Sequence, residues 1–142
     1  MARKPEQLVW DALWASCGSE MLLQRHEDSL SCGIPDVSGV IYRREFWCEL
    51  KASRGLGALK LRQRQLNWMY ARQRRGVDCF LLARRDPDEW AGCLMYHGNW
   101  LILSENIKST NFADLAQLGD SDSSPSVLIK RNLSHCVKFE PA

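Results

Sequence analysis

Gly33-Ile34-Pro35-Asp36-Val37-Ser38-Gly39-Val40-Ile41-Tyr42-Arg43-Arg44-Glu45-Phe46-Trp47-Cys48-Glu49-Leu50-Lys51 reads as two apolar strands joined by a tight turn. Side chains alternate along a strand, so Glu49 and Lys51 share one face while Phe46, Cys48 and Leu50 take the other. With Arg43-Arg44 as a two-residue turn, Tyr42 pairs with Glu45, and Asp36 falls opposite Lys51. Glu49 is then a diagonal neighbour of Asp36, near enough for both carboxylates to share one cation. A one-residue slip would destroy that arrangement. Two carboxylates and an ammonium on one strand face are costly unless something binds there. The plain alternative is a solvated Glu49/Lys51 salt pair. Against it, Glu49 lies inside the apolar run Phe46-Trp47-Cys48-Glu49-Leu50, where a purely solvating charge is not expected.

These groups suit phosphodiester hydrolysis. A hard divalent cation binds through one or two carboxylates, keeps several waters and takes substrate phosphate as a further ligand. Asp36 and Glu49 are the candidate ligands, and the Leu50 carbonyl is a third. Such a cation polarises a phosphoryl oxygen and acidifies a bound water. Lys51 would stand beside the developing charge or help deprotonate the attacking water.

Gly33-Ile34-Pro35-Asp36 followed by Glu49-Leu50-Lys51 resembles the signature of the PD-(D/E)XK nuclease superfamily. The nearest likeness is to small phage-type members, among them virus-type replication-repair nucleases and Holliday-junction resolvases. It runs from about Pro5 to Arg84 and fades beyond. It implies an α/β fold with an αβββαβ core, a mixed central sheet flanked by helices, magnesium or manganese, and cleavage of branched or structured DNA in phage replication, recombination or repair. By the same resemblance Asp36 and Glu49 are metal ligands and Lys51 is the catalytic lysine. Glu6 corresponds to an acid that relatives place on the first helix, and it is equally a plain first-turn Glu. Glu27, in Arg25-His26-Glu27, is an accessory acid or a loop charge. Gln65 matches a Gln that approaches the active site, with Gln63 as competitor.

The 142 residues suffice for one domain with a real core, with residues 85–142 appended as further strands, a short helix and a mobile tail. No apolar run approaches a membrane span, and no signal-peptide core follows Met1; a cytoplasmic protein with no membrane partner is expected. The six cysteines form no CxxC pair, which argues against zinc and for reduced core thiols.

Charge distribution says more than the net +2. Lys51, Arg54, Lys60, Arg62, Arg64, Arg72, Arg74 and Arg75 fall in one segment, and no Asp or Glu occurs from Ala52 to Val77. A solvated helix normally intersperses acids among its bases, so this imbalance points to a phosphate backbone. Arg54, Lys60, Arg62, Arg64, Arg72 and Arg75 are the expected DNA contacts.

Along the chain, Pro5 opens a helix to about Ser16, Glu20 to Arg25 reads as a strand, and Leu59 to Arg75 as a second long helix closed by Gly76. On that helix Gln65, Trp68 and Arg72 share a stripe, with Trp68 read as packing. Val77 to Ala83 is a buried strand, Trp90 to Tyr96 an extra one, and Trp100 to Leu103 another short one. Asn111 caps a short helix to Leu118, residues 119–126 read as a polar mobile loop, and Val127-Leu128-Ile129 and Val137-Lys138-Phe139 as late strands or docked tail.

A homodimer is expected, because one metal site cuts one strand and symmetric resolution of a junction needs two related cuts. The six tryptophans, many for one small core, add to that expectation. Three other readings stay open: a nuclease with a restriction-type or RNA target, a catalytically silent nucleic-acid-binding module of the same fold, and a protein unrelated to nucleic acids. Retention of both carboxylates and the lysine speaks against the second, and the basic segment against the third.

Overall fold

The central strand pair forms where the alternation of Phe46, Cys48 and Leu50 with Trp47, Glu49 and Lys51 places it. The computed structural model describes residues 5–26 and 33–134. Its elements are α1 (Pro5–Cys17), β1 (Leu22–Arg25), β2 (Val37–Ile41), β3 (Arg44–Ala52), α2 (Gln63–Gln73) and β4 (Asp78–Arg85), the expected αβββαβ order. There follow β5 (Glu89–Leu94), α3 (His97–Glu105), α4 (Phe112–Leu118), β6 (Asp120–Asp122) and α5 (Pro125–Ser134).

The six strands lie in sequence order in one mixed sheet, with β3 and β4 parallel and all other neighbours antiparallel. Phe46, Cys48 and Leu50 pack with Val9, Leu13 and Cys17 of α1 and with Leu128, Ile129 and Leu133 of α5. The opposite face, carrying Cys79, Leu81, Ala83 and Cys93, is covered by Leu66 and Met69 of α2, Leu103 of α3, and Phe112 and Leu115 of α4. Cys17, Cys48, Cys79 and Cys93 are free and buried, as expected of core thiols, and burial pushes the Cys93 thiol up to about 12. Cys32 and Cys136 lie outside the described residues.

The hairpin register differs from the expected one. The turn is Tyr42-Arg43, both at positive φ (55° and 62°), so Ile41 pairs with Arg44. Its alignment puts Gly39 opposite Phe46, whose ring fills the space a side chain would need: an added Cβ would stand 2.5 Å from it. Val37 pairs with Cys48, and one step further Asp36 faces Glu49 rather than Lys51. A two-residue shift preserves faces, so the three polar groups stay together.

Four further expectations are corrected. The second long helix begins at Gln63, not Leu59: Lys60 is held at φ 56°, Leu59 N–H donates to Thr110 O at 2.9 Å, and Ala58 bridges Asn111. Residues 100–103 belong to helix α3, with Leu103 alone turned fully inward. Residues 119–126 hold a short edge strand, β6, whose Asp120 and Asp122 receive Arg131 of α5 at 2.7 and 3.1 Å. Leu128-Ile129 is helical and part of the core. The cap at Asn111 forms as expected, with reciprocal bonds to Asp114. Residues 137–139 lie outside the described ones.

Of the six tryptophans, Trp90 is fully buried, Trp14 is exposed, and Trp10, Trp47, Trp68 and Trp100 are half-buried. The exposed tryptophan surface therefore narrows to Trp14, with Trp10 beside it at 5.8 Å between ring centres. No helix among the described residues is long and apolar enough to cross a membrane.

Because α5 completes one side of the core, Leu128→Ala should cost about 2–5 kcal/mol of stability, read by urea unfolding. A cost within about 0.5 kcal/mol, typical of surface sites, would contradict the docking of this helix.

Candidate active site

At the C-terminal end of β3 the sheet, the start of α1 and the first turn of α2 enclose a cleft of about 710 Å³. Asp36, Glu49, Leu50, Lys51 and Gln65 line it together with Glu6. Each arrives by a different local cause. Gly33 lets the chain pass under the start of α2, where at φ 94° an added Cβ would meet Arg64 O at 2.5 Å. That passage delivers Asp36 to the position just before β2. Alternation along β3 turns Glu49 and Lys51 toward α2, and α2 presents Gln65 one turn before Trp68.

A short hydrogen-bonded chain links them. Gln65 Nε2 donates to Glu49 Oε2 at 2.8 Å, and Lys51 Nζ donates to Gln65 Oε1 at 2.9 Å. Lys51 Nζ also donates to the Lys60 carbonyl at 3.2 Å and lies 3.4 Å from Glu49 Oε2. The amide of Gln65 is thus oriented from both sides. Asp36 Oδ2 accepts the Leu50 backbone N–H at 3.0 Å. The N–H and C=O of a strand residue point to the same edge, so the Leu50 carbonyl opens toward Asp36 as well.

Glu49 is only 3% exposed, and its Oε1 has no hydrogen-bond partner. Burial first, and then the neighbouring Asp36, push its carboxyl up from 4.5 to about 8, with Lys51 pulling the other way. A buried oxygen without a donor beside a second carboxylate fits a divalent cation. Among the described residues no group of three or more His, Cys, Asp and Glu gathers as a ligand set. The pair would therefore need the Leu50 carbonyl, waters and substrate oxygens to complete a shell, as magnesium commonly does.

The expected contacts divide. Arg54, Lys60 and Arg62 rim the cleft. Arg64 is exposed on the first turn of α2 and does not line it. Arg72 stands with its guanidinium 3.6 Å above the Trp68 ring, and Arg75 donates to the Ala71 carbonyl at 2.8 Å. Arg72 lies in the last turn of α2, an 11-residue helix, and Arg75 in the turn just past it, so both stand about 16 Å from its start. Gln63, the competitor of Gln65, bonds to Asn67 and Ser104 instead. Glu27 lies outside the described residues. His26 stacks on Trp47 and bonds to Ser38 Oγ at 2.8 Å, which makes it a packed residue outside the cleft lining. Trp47 in turn packs on Trp68. The Lys60 carbonyl is the site group that charge and spacing did not reveal, because its placement depends on a positive φ.

No protein-family model matches the chain, and no curated protein does. Among solved structures, the chain is similar to Hjc of Archaeoglobus fulgidus, described as a Holliday junction resolvase from an archaeal hyperthermophile. The identity is 14% over 64% of this chain and 74% of that one, with a TM-score of 0.47. So distant a likeness says nothing about chemistry, and the site is read from its own residues.

Proposed function

We propose that this protein is a metal-dependent endonuclease of the PD-(D/E)XK type, cutting branched or otherwise structured DNA. One observation carries the reading: buried Glu49, with an unpartnered oxygen, stands beside Asp36 and 3.4 Å from Lys51 in a cleft rimmed by Arg54, Lys60 and Arg62.

Asp36 and Glu49 would hold magnesium or manganese with the Leu50 carbonyl. The chemistry such an ion supplies when bound is neutralisation of phosphoryl charge and acidification of water. Gln65 holds Glu49 by one oxygen and leaves the other, buried and without a partner, for a cation. Lys51, tethered by Gln65 and the Lys60 carbonyl, keeps its ammonium beside the reacting phosphate, where it offsets developing negative charge. Glu6 stands across the cleft as a further acid. Arg54, Lys60 and Arg62 grip backbone phosphates, and Arg64, Arg72 and Arg75 extend the basic track along α2 without reading sequence. Two such sites in a homodimer would make the paired cuts that resolution of a four-way junction requires.

Labelled linear, flapped and four-way DNAs, incubated with and without magnesium, test the reading. Cleavage of branched DNA in magnesium alone, by a species twice the chain mass in light scattering, is expected. No cleavage of any substrate in magnesium or manganese would overturn it. Arg62→Ala should weaken binding similarly for every DNA sequence and lower the log–log salt slope by roughly 0.9. Loss confined to one sequence would mean base readout instead.

A further inference from the structure

Beside the cleft, and sharing Pro5, Ala52 and Arg54 with its wall, a smaller pocket opens between the start of α1 and the ends of β3 and β4. Ser53 and Arg84 line it, and each carries a buried side-chain donor without a partner in the wall behind, Ser53 Oγ and Arg84 Nε. The sheet itself brings them together. Ala52 is paired with Arg84, and Ser53 N–H donates to the Arg84 carbonyl at 2.9 Å, so the two residues close the β3–β4 ladder side by side. The Arg84 guanidinium is steadied by the Trp90 ring, 5.7 Å from its centre.

Buried donors left unpaired are costly, and two in one pocket call for an acceptor from outside the described chain. The charge around them selects that acceptor. Arg84 and the exposed Arg54 are cationic, and the amino end of α1, at Pro5, adds its partial positive charge. Among the described residues the one acid on the wall is Asp86, which is exposed on the β4–β5 turn and therefore solvated, whereas the donors are not.

We infer that Ser53, Arg54 and Arg84 form a second phosphate subsite, which receives a phosphate of the strand whose scissile group lies in the adjoining cleft. The pocket itself stands on these donors, and only its occupant rests on the nuclease reading. Arg84 would hold a phosphate oxygen through Nε–H, and Ser53 would donate its hydroxyl to another. The subsite would place the strand relative to Asp36 and Glu49, so Arg84 and Ser53 are positioning residues and take no part in the chemistry.

The first test is NMR of the isotopically labelled full chain, titrated with inorganic phosphate against chloride at matched ionic strength. Saturable shifts of the Ser53 amide and Arg84 Hε are expected, unchanged in Asp36→Ala and lost in Arg84→Gln and Ser53→Ala. Asp86→Asn, with an unaltered core, should strengthen phosphate binding and serves should Arg84→Gln fail to fold. The second test places single methylphosphonates along one strand of a DNA substrate, with 5′-phosphate and 5′-hydroxyl ends compared. One neutralised position should weaken wild-type binding about tenfold and add nothing to Arg84→Gln. An internal position marks a backbone phosphate, and dependence on the end alone marks a terminal one; both support the subsite. Absence of saturable shifts, as for a pocket holding only water, would overturn it, and so would equal responses of wild type and Arg84→Gln. Phosphate binding without any DNA cleavage would leave the pocket standing and remove the nuclease reading. Cleavage with neither phosphate shifts nor an Arg84 effect would do the reverse.

Discussion

Asp36→Ala should reduce cleavage about a thousandfold or more while leaving DNA binding and the fold in place. The effect is large because the site has little redundancy among the described residues: Asp36 and Glu49 are the two carboxylates at its centre, and no larger acidic cluster stands behind them. Stability should change little. Removing Asp36 costs the single bond from Leu50 N–H, worth about 1 kcal/mol, and relieves repulsion on buried Glu49. The rim of Arg54, Lys60 and Arg62 is untouched, so the substrate still docks. Gel-based cleavage and binding assays on one preparation separate the two effects. Full activity in magnesium would remove Asp36 from the site.

The second large effect is on stability against pH. Without a cation, folded Glu49 keeps its proton up to about pH 8, whereas in the unfolded chain it titrates near 4.5. Between those values the native state holds a proton that the unfolded state has lost, so stability falls as pH rises through this window. Above it both states are ionised and the full burial penalty stands. Glu49→Gln should flatten that slope and make the metal-free protein more stable than wild type at about pH 9, by a few kcal/mol. Magnesium should raise the wild-type melting temperature more at the alkaline end than at about pH 5, because a cation favours ionised Glu49. Melting curves across pH provide the check. Parallel curves for wild type and Glu49→Gln would mean that Glu49 ionises freely in the fold.

The hairpin carrying Asp36, Glu49 and Lys51 was legible because strand alternation is a strong local signal, and one face of β3 had to be apolar. Its register was not, since Tyr42 and Arg43 take positive φ without glycine at either position. What sets the turn there is Phe46 lying across Gly39, a tertiary contact. Residues 100–103 misled for a related reason: four apolar residues cannot distinguish a strand from a buried helical turn. At α5 the sequence does carry a helix signal. Ser124 before Pro125 is a helix start, and its hydroxyl accepts Val127 N–H at 3.3 Å. The late start of the basic helix was invisible in the sequence, because Ala58 and Leu59 are tied to Asn111 and Thr110 and Lys60 takes a positive φ.

The candidate site divides in the same way. Resemblance favours Gln65 over Gln63, and the bonds to Glu49 and Lys51 place Gln65 in the cleft. Charge alone points to Arg72 and Arg75, and the length of α2 carries them away from the cleft. Ser53 and Arg84 carry no motif at all. They meet only because β3 and β4 run parallel, a pairing that joins residues 31 positions apart.

The most direct test of the central claim is manganese binding to the full chain, followed by the loss of the free-ion electron paramagnetic resonance signal. Asp36 and Glu49, with the Leu50 carbonyl, are expected to take up manganese saturably at one or two ions per chain in competition with magnesium. Asp36→Ala and Glu49→Ala should both abolish that uptake while remaining folded. Uptake of the same strength in wild type and both variants, or none in wild type, would contradict a cation site at this pair.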